Sequence, residues 1–213
     1  LPDTIEREII YDIKQTIQER YPLIKEVRWS MYRVLKALAN IDKELGYVKG
    51  MNFIVAYLLV ISNRNEIDTF YFMMTLFSKT FSNKFGMRGF YLTNHPLTNV
   101  CTKIFEKHLL KIYPEIYEHF QEIKFSPLSW ISLWMQMAYV NVFPNYILLR
   151  LWDYFFIYGL GFLISIGLSL VEFLYEDLIN IDEPEEIEDF LKLLNPNLKI
   201  NIKYKDKIID YVI

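Results

Sequence analysis

Apolar residues recur along this chain with a helical period, and polar clusters or prolines mark where each run stops. Ile5, Ile9, Ile13 and Ile17 fall four residues apart and put one apolar stripe on an N-terminal helix, with Asp3 placed as its N-cap. Tyr21-Pro22 breaks that helix. Val27, Met31, Val34, Leu35 and Leu38 form the apolar face of a second helix, closed by the polar stretch from Asn40 to Lys43. Gly46 and Gly50 punctuate a loop, and Met51 to Ile61 reads as a strongly apolar helix. After the loop Ser62 to Asn65, a helix runs from Glu66 to Phe77, and Gly86 to Asn94 is a connection.

Helical periodicity continues through the second half. Leu97 to Leu110 is one helix, and Pro114 opens another that carries Ile116, Tyr117, His119 and Phe120. Ser126-Pro127-Leu128 leads into a helix from Trp130 to Val140, and Pro144 opens one through Trp152. Asp182, Pro184, Glu185 and Glu186 make a further helix start, its acids favoured by the helix dipole. The tail from Lys199 to Ile213 stays open between a strand (Lys199 to Tyr204 alternates) and a short amphipathic helix. With no hairpin turn or βαβ spacing elsewhere, the fold class is all-α, a multi-helix domain.

Tyr154 to Val171 contains no charged residue, long enough to test as a membrane span. Gly159, Gly161 and Gly167 interrupt it, Asp153 and Glu172 flank it, and no Lys/Arg cluster marks a cytoplasmic side. It reads as a turn followed by a helix buried on most faces, and no transmembrane segment is expected. The chain has 213 residues without a linker-like tract, 53% of them apolar and 17% aromatic, enough for a sizeable core. Its net charge of −3 and scattered basic residues argue against a nucleic-acid partner. Cys101 is the single cysteine, which fits a reducing, cytoplasmic compartment. The start at Leu1, with no signal-peptide layout, suggests a fragment of a longer protein.

The stretch Tyr47-Val48-Lys49-Gly50-Met51-Asn52 resembles the signature of the TBC (Rab GTPase-activating) family, Tyr-x-Gln-Gly-Met-Asn. Ile9, Asp12, Gln15 and Thr16 resemble that family's other motif, Ile-x-x-Asp-x-x-Arg-Thr. The resemblance extends over Leu35 to Ala39, Gly46-Tyr47, Pro114 to His119, Ser129-Trp130, Phe143-Pro144, Arg150-Leu151-Trp152-Asp153, Phe156 and Gly159. It covers about Ile9 to Leu178 and implies a single TBC domain over residues 1–213, with 179–213 as C-terminal helices. It departs from the family at Gln15 for Arg, Lys49 for Gln and Gln18 for Pro, and the family's earliest helices are not visible.

The resemblance implies a small GTPase of the Rab type as partner, with another protein left open. The Arg position would supply a cation to the transferring phosphoryl group and the Gln position would orient the attacking water. An arginine finger is worth about 10³ to 10⁵ in rate, roughly 4 to 7 kcal/mol of barrier. Gln15 is neutral, and the Lys49 ammonium has donors but no acceptor. The expectation is therefore a catalytically deficient member of the family and not an enzyme: a GTPase-binding or protein-interaction module with no catalytic residue. One alternative is an active Rab GTPase activator in which Lys49 supplies the cation and Gln15 the amide. Another is a structural scaffold in a larger assembly. Arg20, five residues after Gln15, points well away from it on a helix and reads as a surface residue.

Asp12, Thr16, Tyr47, Gly50, Met51 and Asn52 are the expected partner-binding residues; for the last four, a role in folding alone stays open. No cofactor and no metal are expected: His95, His108 and His119 lack ligand-like spacing with Cys101, and no Gly-rich phosphate loop is present. Trp130, Trp134 and Trp152 read as core, Arg150 and Asp153 as a helical ion pair, and Asp182 to Asp189 as a solvated face. The family resemblance suggests membrane trafficking. It leaves the edge of a membrane and a cytoskeletal assembly both open as settings.

Overall fold

The computed structural model describes residues 1–19, 25–78 and 86–192, and among them every regular element is helical. Two compact units divide the chain, one ending at His95 and one beginning at Pro96. The first holds α1 (Asp3–Glu19), a 3-10 turn (Lys25–Val27), α2 (Arg28–Ile41), α3 (Met51–Ile61), α4 (Glu66–Leu76) and a 3-10 turn (Arg88–Phe90). Helix α2 is its hub: α1, α3 and α4 all pack against it. Each helix turns its periodic apolar stripe inward, Ile9 and Ile13 from α1 and Met31, Val34, Leu35 and Leu38 from α2. Asp3 proves to be the first residue of α1 rather than the residue before it. Asn65 caps α4 by accepting the Asp68 amide at 3.1 Å. Glu66 of α4 is gripped from α2 by the Ser30 hydroxyl at 2.7 Å and by Arg33, whose Nε and Nη2 donate at 2.9 and 2.6 Å.

The second unit holds α5 (Pro96–Ile112), α6 (Pro114–Glu122), α7 (Leu128–Gln136), α8 (Asn145–Tyr158), α9 (Leu160–Phe173), α10 (Tyr175–Leu178) and α11 (Pro184–Lys192). Helix α5 packs on α6, α7 and α9, and α8 packs on α9. Phe105, Trp130, Trp134, Tyr139 and Phe143 form a continuous aromatic file through this core. Trp130, Trp134 and Trp152 are all buried, as their apolar settings suggested.

Helix α7 stops at Gln136, four residues short of the end that periodicity gave it. Ala138 and Tyr139 adopt left-handed backbone, φ 45° and 62°. Tertiary bonds hold them there: the Tyr139 hydroxyl donates to the Leu163 carbonyl at 2.7 Å, and Trp152 Nε1 donates to the Ala138 carbonyl at 3.0 Å. The uncharged run from Tyr154 is cut at Gly159, φ 83°, into the last residues of α8 and most of α9. Among the described residues no helix is long and apolar enough to cross a membrane. Helix α9 buries one side, including Leu163, Ile166 and Leu170, and exposes Gly161 and Ser165.

Arg150 and Asp153 do not form the expected ion pair; both are exposed, and among the described residues no salt bridge joins them. The base precedes a short acid here, the weaker order for a helical pair. The acidic residues from Asp182 to Asp189 are exposed while Ile187 and Leu191 are buried. The tail from Lys199, Arg20 and the side chain of Gln18 lie outside the described residues.

Gly167 is the tightest point of the second core. A Cβ there would sit 2.5 Å from Ile131 Cδ1, 2.9 Å from the Tyr139 hydroxyl and 3.1 Å from Phe105 Cε2. Alanine favours a helix over glycine by about 1 kcal/mol, whereas overpacking costs about 1 to 3 kcal/mol. Because Tyr139 is held by its bond to Leu163, the clash dominates. Gly167→Ala is expected to lower stability by about 1 kcal/mol net, read as a lower urea midpoint.

Candidate functional site

The inward stripe of α1 is not wholly apolar. Asp12 and Thr16 share it with Ile9 and Ile13, and they are 4% and 0% exposed. Polar groups that deep must find partners. Asp12 Oδ2 accepts the Tyr47 hydroxyl at 2.7 Å across the interior of this unit. Thr16 donates to the Asp12 carbonyl at 2.7 Å and accepts from Asn52 Nδ2 at 2.7 Å. Asn52 Oδ1 in turn accepts the Gly50 amide at 2.8 Å. One buried network therefore ties α1 to the turn 47–50 and to the first residues of α3. Burial and the adjacent Asp12 carboxylate push the Tyr47 phenol far above its ordinary value, so it remains a neutral donor.

Gly50 makes this geometry possible. Its φ of 108° and ψ of −35° lie where a side chain is strained, and they aim its amide at Asn52 and its carbonyl at Phe53 N–H, 3.2 Å away. Upstream, the Asp42 carboxylate accepts the Leu45 amide at 3.1 Å and its carbonyl accepts the Gly46 amide at 2.7 Å. Arg88 then clamps this turn from the far end of the unit. Its guanidinium bonds to Asp42, to Glu44 at 2.9 Å and to the Phe77 carbonyl at 3.2 Å. Sequence reasoning missed Arg88. The available signal was a lone charge among Gly86, Met87, Gly89 and Phe90, in a stretch whose apolar members are fully buried.

The six residues expected to bind a partner are thus all interior. Asp12, Thr16, Tyr47, Gly50, Met51 and Asn52 are buried, and all but Met51 join the network of bonds just described. Positions 15 and 49 are more open. Gln15 is half-buried on α1 between Asp12 and Thr16, and Lys49 is exposed immediately before Gly50. The frame is inside and positions 15 and 49 are where it meets solvent. Among the described residues no group of three His, Cys, Asp or Glu side chains is arranged to hold a metal ion.

Several known proteins resemble this chain. Ecotropic viral integration site 5 protein homolog from Homo sapiens is 27% identical over 164 residues, 77% of this chain and 19% of that protein. GTPase-activating protein GYP5 from Eremothecium gossypii is 28% identical over 209 residues, 97% of this chain and 24% of that protein. The chain therefore spans about a fifth to a quarter of the length of these relatives. Among solved structures, the Chlamydomonas flagellar RabGAP TBC domain superposes with a TM-score of 0.79, covering 97% of this chain and 66% of that one. At 21% identity, that likeness speaks for the fold, and it is all-helical as expected.

These matches correct one expectation. Reading Gln15 and Lys49 against the family's motifs makes the chain a non-enzymatic member of the family. Yet the relative aligned over 97% of the chain is itself a GTPase-activating protein, and the family matched is one of such proteins. In physical terms, the buried bonds that frame positions 15 and 49 are all formed in this chain. The Rab-GTPase-TBC domain model matches residues 2–179, and the chain belongs to that family.

Proposed function

We propose that this chain accelerates GTP hydrolysis on a Rab-type small GTPase, presenting Lys49 and Gln15 to the nucleotide in exchanged roles. The observation that carries the reading is the buried Asp12–Tyr47 and Thr16–Asn52–Gly50 network, which fixes the backbone on both sides of those positions. Lys49 then brings the cation and Gln15 an amide that both donates to and accepts from water. A lysine is a compact point charge and cannot grip two phosphate oxygens at once, so each turnover gains less than an arginine would give. The buried residues of the motif act through positions 15 and 49 rather than by touching the GTPase.

Single-turnover phosphate release from a panel of GTP-loaded Rab proteins tests this. With a responsive GTPase, Lys49→Ala is expected to cut the chain's rate enhancement by about 10²-fold, the loss of one charge contact in the transition state. Binding of the GTP-loaded protein should change far less. An enhancement untouched by Lys49→Ala would overturn the assignment.

A further inference from the structure

We propose that the exposed face of α8 docks a second copy of this chain, helix against helix about a two-fold axis, so that Arg150 of each copy meets Asp153 of the other.

The face consists of Tyr146, Leu149, Arg150, Asp153, Tyr154 and Ile157. Its apolar members are 55%, 45%, 36% and 54% exposed, in chain order. Its two charges are exposed and form no salt bridge among the described residues. Two antiparallel copies of α8, centred between Leu151 and Trp152, would set Tyr146 opposite Ile157 and Arg150 opposite Asp153 along the central stripe, with Leu149 and Tyr154 on its two flanks. Each pairing then occurs twice, as an isologous contact requires. Apolar meets apolar and each charge meets its opposite. A parallel alignment would stack Arg150 on Arg150 and Asp153 on Asp153, which like-charge repulsion disfavours. The pattern is therefore complementary to itself in one orientation.

Part of the face is already ordered. The Tyr154 ring stacks on Tyr158 at 6.1 Å with 8° between planes and leans on Phe162 at 5.7 Å, so little side-chain freedom is lost on docking. A contact one 14-residue helix wide is at the small end of specific interfaces, which sets the expected dissociation constant at about 10 to 100 µM.

Sedimentation equilibrium of the 213-residue chain, from about 1 µM to about 1 mM, spans that range. The weight-average mass is expected to climb from monomer towards dimer. Arg150→Asp and Asp153→Arg should each weaken dimerisation by about tenfold or more, through like charges brought face to face. The double reversal Arg150→Asp with Asp153→Arg should restore it, because each new charge again meets its opposite. Ile157→Lys, at the apolar end, should weaken it independently of the charge pair. Thermal melts of all variants should match, since every substituted side chain is exposed. A chain monomeric throughout would overturn the proposal. So would a dimer indifferent to these substitutions, or a double reversal as weak as the single ones, the mark of a contact that is not reciprocal.

Discussion

In the proposed arrangement, a chain carrying Gln15→Arg and Lys49→Gln together is expected to accelerate GTP hydrolysis on a responsive Rab-type GTPase about 10²- to 10³-fold more than the unsubstituted chain. An arginine finger contributes about 10³ to 10⁵, and the Lys49 charge already supplies part of that in the proposed arrangement. The gain comes from a planar fork that holds two oxygens of the transferring phosphoryl group. The restored glutamine returns the group that positions water. Neither position is fully buried, position 15 being half-buried and position 49 exposed. Stability should therefore stay within about 0.5 kcal/mol of the starting chain. Single-turnover phosphate release with matched binding titrations is the measurement. If the double variant still binds the GTP-loaded protein but hydrolyses no faster, the frame does not aim these positions at the nucleotide.

Asn52→Ala is expected to be the most damaging small change at the site, lowering stability by about 3 kcal/mol. Its amide accepts from the buried Gly50 N–H and donates to Thr16. Removing it strands the Gly50 amide, and an unsatisfied buried group costs about 1 to 3 kcal/mol by itself. The lost bond to Thr16 and the lost packing add the remainder. Coupling provides a sharper check. Thr16→Val should cost about 1 kcal/mol less in the Asn52→Ala background than in the original chain, since the shared bond is already gone. Urea denaturation of the four proteins in this cycle gives both quantities. Additive losses, or a change at Asn52 within about 0.5 kcal/mol, would show that the network does not hold the turn.

Helices were legible wherever periodicity and punctuation agreed. The stripe Ile9–Ile13, Pro114, Pro184 and the helix from Met51 to Ile61 all appear as the sequence pattern indicates. Periodicity failed where an apolar run outlasts its helix. Met137 to Val140 continues the pattern of α7, yet long-range bonds from Tyr139 and Trp152 force non-glycine residues into left-handed backbone. No local signal encodes that stop. The motif residues were identifiable from their spacing, but their depth was not, because Asp12, Thr16 and Asn52 are residue types most often found at surfaces. Arg88 was invisible for a related reason: it sits 46 positions from Asp42, and only the folded unit brings them together. The sequence shows the identities at positions 15 and 49 but not the interior bonds that frame them.

The arrangement of Gly50, Asn52, Thr16 and Asp12 separates heritable risk from chemical opportunity. A change at any of these four must be answered inside the fold, where single replacements strand a donor or strain the backbone. A change at exposed position 49, or at half-buried position 15, leaves those bonds in place. Chemistry at these outward positions can thus be rewritten one residue at a time without passing through a misfolded chain.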